Sequence, residues 1–265
     1  KNIYAKILSF VIFLTISNNS MQKAYFVLMI YNEEDAISGV VESILHCDLP
    51  ARYERRIIAV NDGSTDGSGG ALERAAKIAP VHVISFATRQ GIPISFRGVF
   101  DYLGSQLRDN DIVFTLEADG TNDIACVPHM VQAIEEGADI VIASRYAPGA
   151  ASLGFPWHRL WGSSVVNLFL QMLWGVPKAK DYSVLYRVYR GSLLRKYIAD
   201  NIPFIARRSF AVIAEILLHL SRYKPKVVEI PLIYDYRLKK GKSKMKLVQT
   251  LWEYVRITLV TIFRL

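Results

Sequence analysis

Cysteine is scarce in this chain: Cys47 and Cys126 are the two among 265 residues. Two thiols exclude a disulfide scaffold and a cysteine-built zinc site, and they suit a reducing compartment. The five histidines, at 46, 82, 129, 158 and 219, include no pair at ligand spacing, which argues against a histidine-built metal site. No G-x-G-x-x-G follows the first apolar run, and neither G-x-x-x-x-G-K-[ST] nor G-x-S-x-G occurs anywhere. Their absence disfavours a dinucleotide oxidoreductase, a P-loop NTPase and an α/β-hydrolase. With 51% hydrophobic and 21% charged residues, the composition is that of a folded globular chain and excludes disorder as the main state.

Lys plus Arg number 32 and Asp plus Glu 24, a net charge of +8. Much of the excess sits in Arg237–Lys246, RLKKGKSKMK, where six of ten residues are basic and none is acidic. So local a concentration points to an anionic ligand or a membrane surface rather than a broad nucleic-acid face.

Long apolar runs are also missing. Ile7–Ile16, ILSFVIFLTI, has ten residues, against the roughly 20 that a membrane-spanning helix needs. Residues 1–20 therefore read as an apolar appendage ahead of Met21. At the other end Val248, Leu251, Trp252, Val255, Leu259, Ile262 and Phe263 recur at helical spacing, with Glu253 and Arg256 off that stripe. This predicts an amphipathic helix that either packs on the core or lies along a membrane. All four tryptophans, at 157, 161, 174 and 252, fall in the second half, which favours the membrane.

Between the termini, short apolar runs alternate with helix-like stretches. Tyr25–Ile30, Arg56–Val60, Val81–Phe86, Ile112–Leu116 and Asp139–Ala143 read as strands. Asp35–His46, Gly69–Ile78, Ile94–Leu107 and Val127–Glu136 read as helices. Strands without polar alternation are buried on both faces, so the expectation is an α/β, Rossmann-like, doubly wound and mainly parallel sheet with helices on both faces. Ligands of such sheets bind beyond the carboxyl ends of the strands. Three strand ends carry acids there: Tyr31-Asn32-Glu33-Glu34, Asn61-Asp62-Gly63 through Gly67, and Glu117-Ala118-Asp119-Gly120. Any one acid is readily explained as a helix cap. Three together call for a compensating charge, and a divalent cation with a phosphate-bearing ligand supplies it.

YNEE, NDGSTDGSG, EAD and Ser144-Arg145-Tyr146 resemble the family 2 GT-A glycosyltransferases. Trp157, Arg159, Ser163 and Asn167, the segment Asp181-Tyr182-Ser183-Val184-Leu185-Tyr186-Arg187, and Arg237 with Gly241-Lys242-Ser243-Lys244 narrow the resemblance to polyprenyl-phosphate sugar transferases of the dolichol-phosphate mannose synthase type. It covers roughly residues 24–250. It implies a GT-A catalytic domain over 21–236, followed over 237–265 by a basic acceptor loop and a membrane-associating helix. The sequence departs from the family at Glu117, where the metal motif usually begins with Asp, at Thr121, and at Val184-Leu185. The Q-x-x-R-W motif of processive polysaccharide synthases is absent.

The resemblance implies metal-dependent transfer of a hexose from a nucleotide sugar, GDP-mannose or UDP-glucose, to a polyprenyl or dolichyl phosphate on a cytoplasmic membrane face, with inversion. It implies Mg²⁺ or Mn²⁺ on Asp119 and Glu117. Tyr31, Asn32, Glu34, Asp62, Gly63 and Ala118 would line the nucleotide pocket, with Asp62 toward the base. A phosphate monoester is already a nucleophile and needs orientation rather than deprotonation. The candidate phosphate-gripping cations are Arg145, Arg159, Arg187, Arg237 and Lys244. The basic loop is expected to serve the lipid side. Arg145 pairing with Asp139 or Asp119, and Arg187 pairing with Glu215, are the structural alternatives. A non-catalytic nucleotide-sugar-binding subunit is the alternative at the level of function. No nucleic-acid partner is expected.

Overall fold

The computed structural model describes residues 21–239 and 247–264. The appendage 1–20 and Lys244 lie outside them. The first half builds as the apolar runs dictate: β1 (Gln22–Ile30), α1 (Glu34–His46), β2 (Tyr53–Asn61), α2 (Ser68–Ile78), β3 (Val81–Ser85), α3 (Ile92–Gly104), β4 (Ile112–Glu117), α4 (Cys126–Glu135) and β5 (Ile140–Ser144). β1, β2, β3 and β4 are parallel to one another, in the order β3-β2-β1-β4. The central strands β1 and β4 are buried on both faces, whereas the edge strand β3 is partly exposed; Phe26 of β1 and Phe114 of β4 are register partners and stack with ring centroids 4.6 Å apart.

The second half contributes β6 (Ala151–Leu153), α5 (Trp157–Trp174), β7 (Arg187–Arg190), α6 (Gly191–Asp200), α7 (Ala211–Ser221), β8 (Val227–Pro231), β9 (Ile233–Asp235), a 3₁₀ turn (Tyr236–Leu238) and α8 (Leu247–Arg264). β7 enters the seven-stranded sheet antiparallel, between β4 and β5, and β8 closes the edge parallel to β5. β6 and β9 form a separate parallel ribbon.

Register places the candidate site. Ile30 pairs with Asn61 and Met29 with Glu117, so the three acid-bearing segments leave the sheet at one edge. α8 forms where its spacing predicts a helix, but its apolar stripe faces outward and Glu253 faces inward. Tyr254 and Ile257 are buried, whereas Val248, Trp252, Leu259 and Phe263 are exposed. α5 also exposes Trp157, Trp161, Leu168 and Met172, and the two helices meet where the Trp174 indole donates to Thr258 Oγ1 at 3.1 Å. Among the described residues no helix is long and apolar enough to cross a membrane.

Candidate active site

Glu117 ends β4 and Asp119 follows it in the turn. Asp119 is buried, and its Oδ1 accepts from the backbone N–H of Thr121 at 3.1 Å and from Thr121 Oγ1 at 2.6 Å. Glu117 is half-buried as a residue, yet its Oε2 is enclosed and has no hydrogen-bond partner among the described residues. Burial first, and then the Asp119 charge, push the Glu117 carboxyl up to about 7. A cleft of about 260 Å³ opens beside the pair, between α1 and the turn after β4, with Gly39, Val40, Asn122 and Leu238 in its lining. Asn122 Oδ1 is enclosed there without a partner among the described residues.

These features fit a divalent cation. Two hard oxygen donors stand side by side, and one enclosed carboxylate oxygen lacks a donor. No group of three or more His, Cys, Asp or Glu among the described residues could hold a metal. The two carboxylates would thus share the ion with oxygens of a bound ligand, as Mg²⁺ is commonly held.

The residues expected to line a nucleotide pocket are tied to one another. Asn32 adopts φ +55°, accepts from the Thr65 amide at 2.8 Å and donates its own amide to Ser64 Oγ at 3.0 Å. Glu34 accepts from the Gly67 amide. Asp62 accepts from the amides of Gln90 and Gly91 rather than capping the helix that follows it. Gly63, at φ +65°, lies so close to Thr88 that a Cβ would fall 2.3 Å from its carbonyl carbon. Tyr31 carries the Arg89 guanidinium over its ring at 4.1 Å. Ala118 is buried between the two acids.

The cations depart further from expectation. Arg187 is 0% exposed. It donates to the carbonyls of Ile213, Asp181 and Tyr182, not to Glu215, so it is an interior strut and does not reach the sheet edge. Arg145 pairs with neither Asp139 nor Asp119. It forms a bidentate bridge to buried Asp181, at 2.8 and 2.7 Å, and donates to Ser183 Oγ. That charge holds the Asp181 carboxyl below its ordinary range despite burial, and raises Arg145 in turn. With its fork committed to Asp181, Arg145 is part of the scaffold. Arg237 is exposed and bound through Nε and Nη2 to Asp235 at 2.8 and 2.6 Å. Arg159, on α5, reaches Tyr236 Oη at 3.5 Å.

Two functional relationships escaped the sequence. Asp181 is the anchor of Arg145, 36 residues away. Lys239, at the root of the basic run, places its Nζ on Asp119 Oδ2 across 120 residues. The run expected on the lipid side thus begins in contact with Asp119. Buried Asn167 of α5 completes the setting, donating to Tyr146 Oη and Ser183 Oγ and accepting from the Tyr182 amide.

Residues 25–198 match the family Glycosyl transferase family 2. The chain is 27% identical over 226 residues to polyprenol monophosphomannose synthase of Mycolicibacterium smegmatis, covering 84% of this chain and 81% of that one. It is 29% identical over 193 residues to undecaprenyl-phosphate mannosyltransferase of Micrococcus luteus, with 72% and 76% covered. The crystal structure of glucosyl-3-phosphoglycerate synthase from Mycobacterium tuberculosis, in complex with Mn²⁺, UDP and glucosyl-3-phosphoglycerate, matches with a TM-score of 0.62 at 18% identity, over 91% of this chain and 79% of that one. The last likeness is one of fold, the GT-A arrangement of a mostly parallel sheet flanked by helices. With the family match spanning more than half of its length, the chain belongs to glycosyl transferase family 2 and is a glycosyltransferase.

Proposed function

We propose that this enzyme transfers mannose from GDP-mannose to a polyprenyl phosphate at a membrane surface. The observation that carries the reading is the Glu117–Asp119 pair at the sheet edge, with an enclosed oxygen awaiting a donor, in a chain whose relatives bear the names of polyprenyl-phosphate mannosyltransferases. Mg²⁺ or Mn²⁺ bound by this pair would neutralise charge building on the departing diphosphate.

The remaining steps fall to the chain itself. Tyr31 and Arg89 present a flat cation–π pair at the nucleotide end. Asp62 holds the loop carrying Arg89 and Gly91 in place, and Gly63 lets the two loops close against each other. An acceptor phosphate carries about −1.5 to −2 charges at neutral pH, so no general base is assigned. Its oxygen forms the bond to the anomeric carbon while the bond to the diphosphate oxygen breaks. One such in-line displacement inverts the centre. Arg159 is the cation we assign to the acceptor phosphate, since its partner Tyr236 stands in the turn that delivers Lys239 to Asp119. The outward apolar residues of α5 and α8 would rest in the lipid interface, bringing a polyprenyl chain alongside.

The test is a panel of GDP-mannose and UDP-glucose with a polyprenyl phosphate and Mg²⁺ or Mn²⁺. Mannosyl transfer from GDP-mannose is expected, abolished by chelation and lowered at least about 10²-fold in Asp119→Asn, the size of a removed electrostatic group. Glucosyl transfer from UDP-glucose in its place would change the donor. Undiminished turnover in Asp119→Asn would remove the acid pair from the reaction.

A further inference from the structure

Asp119 has two carboxylate oxygens, and both are taken. Oδ1 belongs to Thr121, through its amide and its hydroxyl. Oδ2 belongs to Lys239. The ion pair is shielded from water, with side chains 13% and 5% exposed. Lys239 does not arrive there as the end of a loose arm. The 3₁₀ turn before it is held by Tyr236 against Arg159 and by Phe155 edge-on to Tyr236, while Leu238 lines the cleft beside Glu117. The Glu33 and Glu117 charges act on the same ammonium.

A metal ion on Asp119 and the Lys239 ammonium are like charges competing for one oxygen, in a place where little water screens them. We propose that Lys239 is a tethered counter-cation of the donor site: it holds Asp119 in the empty enzyme and gives the carboxylate up when a divalent cation arrives with a nucleoside diphosphate. The proposal rests on the reading of Glu117 and Asp119 as metal-binding. Its logic is exchange of one cation for another. A divalent cation held by Asp119 and Glu117 would displace the Lys239 ammonium, which would then find new anionic oxygens on the diphosphate that comes with it. Metal without nucleotide must displace Lys239 for nothing in return, so the two should bind cooperatively. In its resting form the Asp119 carboxylate is neutralised, which avoids leaving it buried and uncompensated. The same contact joins donor loading to the root of the basic run 240–246, because Lys239 is the residue that precedes it.

The experiment is a Mn²⁺ titration of the full chain followed by the electron-spin resonance of free Mn²⁺, with and without GDP. Lys239→Gln should bind Mn²⁺ alone about tenfold tighter than wild type, the effect of removing one competing ion pair. It should also gain less from added GDP. Lys239→Arg, which keeps the charge, should stay near wild type. In parallel, acylation of the Lys239 amine, read by mass spectrometry, should be slow in the empty enzyme and faster with Mn²⁺ and GDP. Equal or weaker Mn²⁺ binding by Lys239→Gln, in a variant with wild-type circular dichroism, would overturn the proposal, and so would labelling that ignores Mn²⁺ and GDP. If wild type, Lys239→Gln and Asp119→Asn all fail to bind Mn²⁺ with GDP present, the metal reading falls and takes the exchange with it. If Asp119→Asn binds Mn²⁺ as wild type does, the same follows.

Discussion

Asp62 reaches across 29 residues to hold the Gly91 amide with both carboxylate oxygens, at 3.0 and 2.9 Å. The Gln90 amide joins them at 2.7 Å. Gly91, at φ +95°, is the residue from which α3 starts, so one carboxylate fixes both the helix entry and the loop bearing Arg89. Asp62→Ala abandons two part-buried or buried donors and should cost about 1–3 kcal/mol for each, the usual loss for an unsatisfied buried group. Urea titration measures it. Asp62→Asn keeps one acceptor and should fall between. A variant as stable as wild type would show that the loop finds other acceptors.

Gly63 and Gly120 both have positive φ, +65° and +79°, but their surroundings differ. A Cβ on Gly63 would meet backbone atoms of Thr88 and Arg89 at 2.3 and 2.4 Å, whereas a Cβ on Gly120 meets nothing within 4 Å. Gly120→Ala should therefore cost about 1 kcal/mol of backbone strain. Gly63→Ala should cost well over that, or fail to yield folded protein, because two backbones must part. Thermal unfolding of the pair compares them directly.

The arginines sort by depth. Arg187→Met strands three carbonyl acceptors in the core and should destabilise by about 3 kcal/mol or more. Arg159→Gln, on the surface of α5, should leave stability within about 0.5 kcal/mol and raise the KM for polyprenyl phosphate, with little change in KM for the nucleotide sugar. Unfolding curves and initial rates separate the two. A stable Arg187→Met, or an Arg159→Gln that alters only the nucleotide KM, would contradict the assignments.

Glu215 and His219 lie one helical turn apart on α7, with Oε1 and Nε2 3.6 Å apart, and they titrate in opposite senses. Burial pushes Glu215 up from 4.5 to about 7, against the amides of Ile205 and Ala206 that it accepts. Burial, and then Arg222, push His219 down from 6.5 to about 4, and Tyr197 bonds its Nδ1. Glu253 and Arg256 are the further charges facing Glu215. Between about pH 4.5 and 7 the folded chain holds the Glu215 proton longer than the unfolded chain does, so that contribution to stability falls as pH rises. Between about pH 6.5 and 4 the folded chain refuses the His219 proton, so that contribution falls as pH drops. In wild type the two offset each other. His219→Gln should lose stability on alkalinisation through this window, and Glu215→Gln on acidification, each relative to wild type. Thermal midpoints from pH 4.5 to 7 give the two slopes; parallel curves would show that neither group titrates in the fold as described.

The strands β1 to β5 were legible to within three residues at each end because their apolar runs have no competing polar pattern. β7 was not. Arg187-Val188-Tyr189-Arg190 is short and carries two arginines, and it becomes a strand because β4 and β5 leave a gap that its backbone fills. The acid edge was legible for the same reason as the strands, since carboxylates after buried runs must emerge at one edge. The cations were not, because their roles depend on partners far along the chain. Arg145 finds Asp181, and Asp119 finds Lys239, at separations that leave no periodic trace. Arg187 was expected to grip the acceptor phosphate or to pair with Glu215, and the three inward carbonyls that hold it in the interior come from segments its own sequence neighbourhood does not reveal.

β5 ends at Ser144 and β7 begins at Arg187, yet the two strands are neighbours, with Ile142 opposite Arg187. Everything between them, including β6, α5 and the Asp181 anchor, leaves the sheet and returns to the spot where it left. Such an excursion is a cassette with both ends clipped to adjacent strands. It can change its length or content without shifting the register of β1 to β4. Its apolar outer face and Arg159 belong to the proposed acceptor half, while the donor acids stand outside it on β4 and the turn that follows. A graft of residues 145–186 from a relative with another acceptor would keep the register of β1 to β4 where it retains Asp181, which ties the segment to β7 and β8, and Arg159, which reaches Tyr236.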